Sequence, residues 1–262
     1  MVGSRLRQSI VAALLVVLAA LGYFTYLGFF GGPLFRLVPA SAPASQAEQG
    51  TVAVFFSSDM GFNTGMGLRV PRRLAAQGIP VVAVNSLTAF APGRTPQQAA
   101  ALVRQAVARA SAIPGARHIL LIGQSFGANV VLAAEPTLPP ELRSRIALVS
   151  LIVPGDTMLF RATPGGVFDY RHDGPALPYA RRLDDRPVLC ISGEDEPGSL
   201  CPIWQQHNVR TVALPGDHYL LRDAPLVAAT LERGLMDVVE RRLTIAAAAT
   251  PRIPQSAASP RP

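Results

Sequence analysis

Between about Thr51 and Arg242, short apolar runs alternate with amphipathic stretches. The runs at 52–56, 80–84, 118–122, 146–153, 187–191 and 210–214 are almost unbroken in Val, Ile, Leu, Ala and Phe. Such runs predict strands buried on both faces rather than on one. Helical spacing of apolar positions occupies 67–77, 96–111, 126–134 and 226–242. Strands alternating with helices predict a mainly parallel sheet of about six strands, covered on both sides. One α/β domain over 51–244 accounts for the whole stretch, and no internal repeat is visible. Only 154–186 breaks the rhythm; rich in Gly, Pro and Arg, it could form a small cap over one end of the sheet.

The N-terminal pattern is different. No charge interrupts the chain between Arg7 and Arg36, and residues 10–30 form an apolar run of spanning length. A helix rising about 1.5 Å per residue needs about 20 such residues to cross the hydrocarbon core. Arg5 and Arg7 precede the run and Tyr23 and Tyr26 lie toward its far end, which predicts a cytoplasmic N-terminus and an exported domain. The expectation is a signal anchor over 1–36, single-pass in a bacterial inner membrane with the domain in the periplasm. Cleavage as a signal peptide is the alternative, because Ala40-Ser41-Ala42 has the small-x-small form. A Pro/Ala/Ser/Gln linker is expected over 37–50, and a disordered tail over 245–262.

Composition narrows the classes. With 49% hydrophobic residues the chain is not disordered as a whole, and with a single spanning-length run it is not polytopic. All of its 24 basic residues are arginine, against 17 acidic residues, for a net charge of +7. The arginines are scattered, so the excess favours an anionic phospholipid surface and argues against nucleic acid. The two cysteines, Cys190 and Cys201, flank an acidic loop; in an exported chain this spacing predicts a disulfide. No histidine stands at ligand spacing beside them, so no metal is expected, and nothing calls for a cofactor.

The sharpest chemical signal is Gly123-Gln124-Ser125-Phe126-Gly127, between a β run and a helical run. G-x-S-x-G in that context is the strand–turn–helix that presents a serine nucleophile above an α/β-hydrolase sheet. Ser125 then needs a base and an orienting acid, in the chain order Ser, acid, His. His218, just past the last strand in Pro215-Gly216-Asp217-His218, falls at the sheet edge that carries Ser125; His207 falls at the opposite edge. The acid is expected from Gly193-Glu194-Asp195-Glu196, as Glu196 or Asp195, with Asp156 after the preceding strand a third candidate. The N–H of Phe126 and one from Ser58 or Asp59, after the first domain strand, would form the oxyanion hole.

Five segments in this order carry a resemblance: Phe56-Ser57-Ser58-Asp59-Met60-Gly61; Asn85-Ser86-Leu87 with Arg94-Thr95-Pro96; Gly123 to Ala128; Cys190 to Glu196 with Ser199-Leu200-Cys201-Pro202; and Leu214 to His218. Together, over about 52–230, they resemble the AcvB/VirJ family of bacterial periplasmic virulence proteins. The resemblance implies a serine hydrolase removing the lysyl group from lysyl-phosphatidylglycerol at the outer face of the inner membrane, without cofactor, in some members alongside type IV secretion components. Where the family reads Ser-Gly-Asp-Gly-Gly-Trp, this chain has Ser58, Met60 and Phe62; the first of the family's paired histidines aligns with His218. Two other functions are consistent with the residues: a general periplasmic esterase or lipase, and a non-catalytic hydrolase-fold adaptor of an envelope secretion system.

Overall fold

In a computed structural model of the protein, residues 2–167 and 172–249 are described. In chain order the elements are α1 (Val2–Leu27), β1 (Phe35–Val38), β2 (Thr51–Phe56), α2 (Arg69–Ala76), β3 (Val81–Val84), α3 (Ser86–Phe90), α4 (Pro96–Ser111), β4 (His118–Gln124), α5 (Phe126–Ala134), α6 (Pro140–Arg143), β5 (Ile146–Ile152), α7 (Leu177–Ala180), β6 (Val188–Gly193), β7 (Val209–Leu214) and α8 (Ala224–Ala249). The fold is that of the α/β hydrolases.

The strands make one seven-stranded sheet in the order β1-β3-β2-β4-β5-β6-β7. Every pairing is parallel except β1 with β3. Alternate residues of each central strand feed opposite cores, as the pleat requires. Val52, Val54 and Phe56 of β2 pack with Ile119 and Leu121 of β4 beneath α4 and α5. Ala53 and Phe55 join Leu120 and Ile122 on the other face, under Val70 and Leu74 of α2 and Val227, Leu231 and Leu235 of α8. Helix α4 starts at the predicted Pro96 because Thr95 accepts from the Gln98 N–H while the Gln98 side chain accepts from the Thr95 N–H, a capping box with proline in the first turn.

Two boundaries differ from expectation. Residues 37–50 do not hang free between helix and domain. Phe35–Val38 forms β1, the antiparallel edge of the sheet, and the following segment lies on the domain, with the Ser41 N–H donating to Ala75 O and Glu48 buried. Gly31-Gly32-Pro33 does break the apolar run before it, but the strand is only four residues long and leaves Arg36 and Leu37 exposed, so its own residues show no strand pattern. Helix α8 continues to Ala249, past the expected boundary at 244; the remainder of the expected tail, 250–262, lies outside the described residues. Within α1, Arg5–Leu27 is the one helix among the described residues long and apolar enough to cross a membrane.

Candidate active site

Strand β4 ends at Gln124 and α5 begins at Phe126, leaving Ser125 alone in the turn with φ 52° and ψ −119°. A non-glycine residue at positive φ is strained, and here two glycines permit the strain. A Cβ on Gly123 would lie 2.4 Å from Gly127 O, and one on Gly127 would lie 2.4 Å from Ser57 O. Any side chain at either position would push the helix off the sheet, so the motif glycines are a packing requirement. The turn aims Ser125 off the C-terminal edge of the sheet, at the N-terminus of α5, where helix partial charge is positive.

The loop after β7 brings His218 to the same edge. Ser125 Oγ is 2.8 Å from His218 Nε2, and His218 Nδ1 is 2.5 Å from Glu196 Oε1. Glu196 Oε2 accepts the N–H of Gly193 at 3.1 Å, so both carboxylate oxygens are held. The carboxylate is 1% exposed whereas the imidazole is 41% exposed, so the Glu196 side chain is enclosed while the imidazole remains reachable. Asp195 is exposed, and its N–H is tied to Gly216 O. The backbone of Asp156 is tied to Gly198 O and Ala176 N–H, and its carboxylate lies against Gly198, with no hydrogen bond to His218 among the described residues. Of the three expected acids, the geometry brings Glu196 to His218.

Cys190, in β6, and Cys201 are disulfide-bonded, with Cα atoms 5.6 Å apart. The bridge closes the loop that carries Glu196, so it acts both on stability and on the position of the acid. Reduction is expected to cost about 2–3 kcal/mol, from the chain entropy a loop of this length regains when unfolded. Denaturant melts with and without reductant measure this. Free thiols titrated in the protein before reduction would overturn the assignment.

Ser125 and His218 open into a cavity of about 710 Å³. Ser58, Asp59 and Met60 line the same cavity as Ser125 and Phe126. The irregular segment after β5 also contributes to the lining, through Gly155, Thr157, Leu159, Gly165, Gly166 and His172. Asn129 of α5 holds that segment: its side chain donates to Thr157 O at 2.5 Å and accepts the Gly155 N–H at 3.1 Å. Among the lining residues that the sequence does not mark as part of a site are Tyr23 at the end of α1, and Tyr219 and Arg222 beyond His218. Their contribution depends on long-range packing, which leaves no local motif. Among the described residues no cluster of three metal-ligating side chains occurs.

A sequence model of the VirJ family, described as bacterial virulence protein (VirJ), matches residues 50–243. No curated protein matches the chain. Solved structures similar to it include Est1E from Butyrivibrio proteoclasticus, at 16% identity and a TM-score of 0.56, covering 79% of this chain and 94% of that one. The esterase domain of a Rhodothermus marinus protein is 17% identical, TM-score 0.52, over 78% of this chain and 99% of that one. The α/β hydrolase GrgF from Penicillium sp. sh18 is 14% identical, TM-score 0.54, over 79% and 93%. At such identities the likeness establishes the fold.

Proposed function

The chain belongs to the VirJ family of bacterial virulence proteins, and from that premise we propose that it is a membrane-anchored periplasmic serine hydrolase that cleaves the aminoacyl ester of aminoacylated phosphatidylglycerol. The observation that carries the hydrolytic part is the Ser125–His218–Glu196 relay at the mouth of the cavity. Ser125 Oγ attacks the ester carbonyl as His218 Nε2 takes its proton; Glu196 holds the imidazole in the tautomer that accepts it and stabilises the imidazolium. The developing oxyanion is held by the Phe126 N–H and one from Ser58 or Asp59. As the C–O bond breaks, His218 returns the proton to the glycerol oxygen of the departing lipid, leaving an aminoacyl ester on Ser125. His218 then deprotonates a water, which attacks that ester, releases the amino acid and restores the serine.

The substrate class is supported by three features. The family membership points to it, the scattered arginines suit an anionic bilayer, and the one carboxylate among the described cavity-lining residues, Asp59, has the charge that suits an amino-acid ammonium. The apolar helix and the disulfide suit a membrane-tethered domain on the oxidising side.

Deleting the protein from a strain with an active aminoacyl-lipid synthase is expected to raise aminoacylated phosphatidylglycerol in the inner membrane. Restoring the wild type, but not Ser125→Ala, is expected to lower it. Unchanged lipid levels, measured by mass spectrometry of extracts, would remove the lipid assignment and leave the general esterase in its place.

A further inference from the structure

We propose that α1 is retained in the working protein and forms a wall of the active site, seating the cavity mouth in the outer interface of the bilayer so that lipid esters reach Ser125 laterally. The last turn of α1 is built into the domain. Leu27 is fully buried, and Phe24 and Phe29 pack against the core under α4 and α5. Thr88 Oγ1 donates to Gly28 O at 2.9 Å, and Tyr26 hydroxyl donates to Asn63 O at 3.3 Å. The loop that supplies Ser58 and Asp59 touches the helix end so closely that a Cβ on Gly61 would lie 2.7 Å from Leu27 O. Cleavage after Ala42 would strip away this contact, strand β1 and the cover of Leu27's pocket together. A leader destined for removal has no reason to complete a core.

Depth then follows from helix geometry. Counting about 20 residues from Gln8, just past the two arginines, reaches the end of α1 at Leu27. Tyr23 stands four residues earlier, about 6 Å down the axis, in the interfacial layer that tyrosines favour. Tyr23 lines the same cavity as Ser125 and His218, so the cavity extends to that layer.

The rest of the rim agrees. Tyr219 and Arg222 line the mouth, and Leu221 between them is 72% exposed. Leu220, Leu221 and Arg222 all have φ near +50°, a left-handed turn that costs energy in every residue. Its effect is to hold Leu221 outward where no protein surface covers it. Val167, next in the chain after the lining residues Gly165 and Gly166, is 57% exposed. Exposed apolar side chains beside the cavity-lining residues, together with a helix of spanning length that contributes Tyr23 to the lining, fit the headgroup–acyl boundary of a bilayer.

Delivery of substrate in this form rests on Ser125 being the nucleophile; the seating of the mouth does not, and the two are measured separately. The full chain is placed in vesicles of phosphatidylglycerol and phosphatidylethanolamine carrying lipids brominated high on the acyl chain. Leu221→Trp and Tyr219→Trp are expected to lose at least about half of their added fluorescence. Ser144→Trp, at the opposite edge of the sheet, is expected to lose almost none. Equal quenching at all three positions, or a membrane-bound chain whose N-terminus begins beyond Tyr23, would overturn the seating. For delivery, Leu221→Asp is expected to lower the ratio of vesicle-borne ester turnover to p-nitrophenyl acetate turnover by about tenfold. An unchanged ratio would overturn lateral delivery. Quenching as expected without turnover of either ester by the wild type would overturn the hydrolase reading and uphold the seating.

Discussion

Ser125→Ala is expected to fold as the wild type does and to lose roughly three to six orders of magnitude in ester turnover. The size follows from the unit character of the nucleophile and base: without Oγ, His218 has no proton to take, and only binding and the oxyanion donors remain. Folding is expected to survive because alanine occupies the same strained φ of 52° as serine, and the Oγ's hydrogen bond is to a half-exposed imidazole rather than to the core. A fluorophosphonate probe should add its mass to the wild type and spare the variant, with matching thermal melts. Labelling that persists in Ser125→Ala would put the nucleophile elsewhere and remove the basis of the proposed chemistry.

The second large effect separates adjacent carboxylates. Glu196→Gln is expected to lower kcat by about 10²–10⁴-fold, while Asp195→Asn changes it by less than about twofold. Both oxygens of Glu196 face donors, His218 Nδ1 on one side and the Gly193 N–H on the other. An amide must turn its NH₂ toward one of them, which either forces His218 into the wrong tautomer or breaks the anchor on Gly193. Asp195 is exposed, so neutralising it removes a solvated charge. Steady-state kinetics on one soluble ester decides the matter; a large loss in Asp195→Asn with Glu196→Gln intact would reverse the assignment.

Much of this architecture can be read without coordinates. Helices 96–111 and 126–134 begin and end where the pattern predicts, because a Thr-Pro capping signal and a Gly-x-Ser-x-Gly turn mark their starts chemically. The five central strands are legible because a strand buried on both faces has to be apolar at every position, a signal stronger than alternation; β7, at the other edge of the sheet, departs from the expected burial, with Arg210, Thr211 and Ala213 exposed. Strand β1 is not legible: its Arg36 and Leu37 are exposed at the sheet edge, and four residues beside an apolar run carry too little pattern to stand apart.

The sequence by itself determined that a serine at 125 sits in a strained turn and that a histidine follows the last strand, because both requirements are local: a turn that only glycines permit, and a place in chain order. It narrowed the acid to one loop without choosing within it, since Glu196 and Asp195 are neighbours with the same charge. Tertiary structure made that choice through Gly193. A Cβ there would lie 2.4 Å from Asp217 O, so the acid loop and the histidine loop press together and only the side chain at 196 reaches Nδ1. Tertiary structure also decided that the apolar N-terminal helix reaches the cavity, through Tyr23. Hydrophobicity sets the length of a helix that can span a bilayer, but whether Tyr23 faces lipid or a cavity depends on what packs against Leu27, and those partners lie 30 to 60 residues away in the chain.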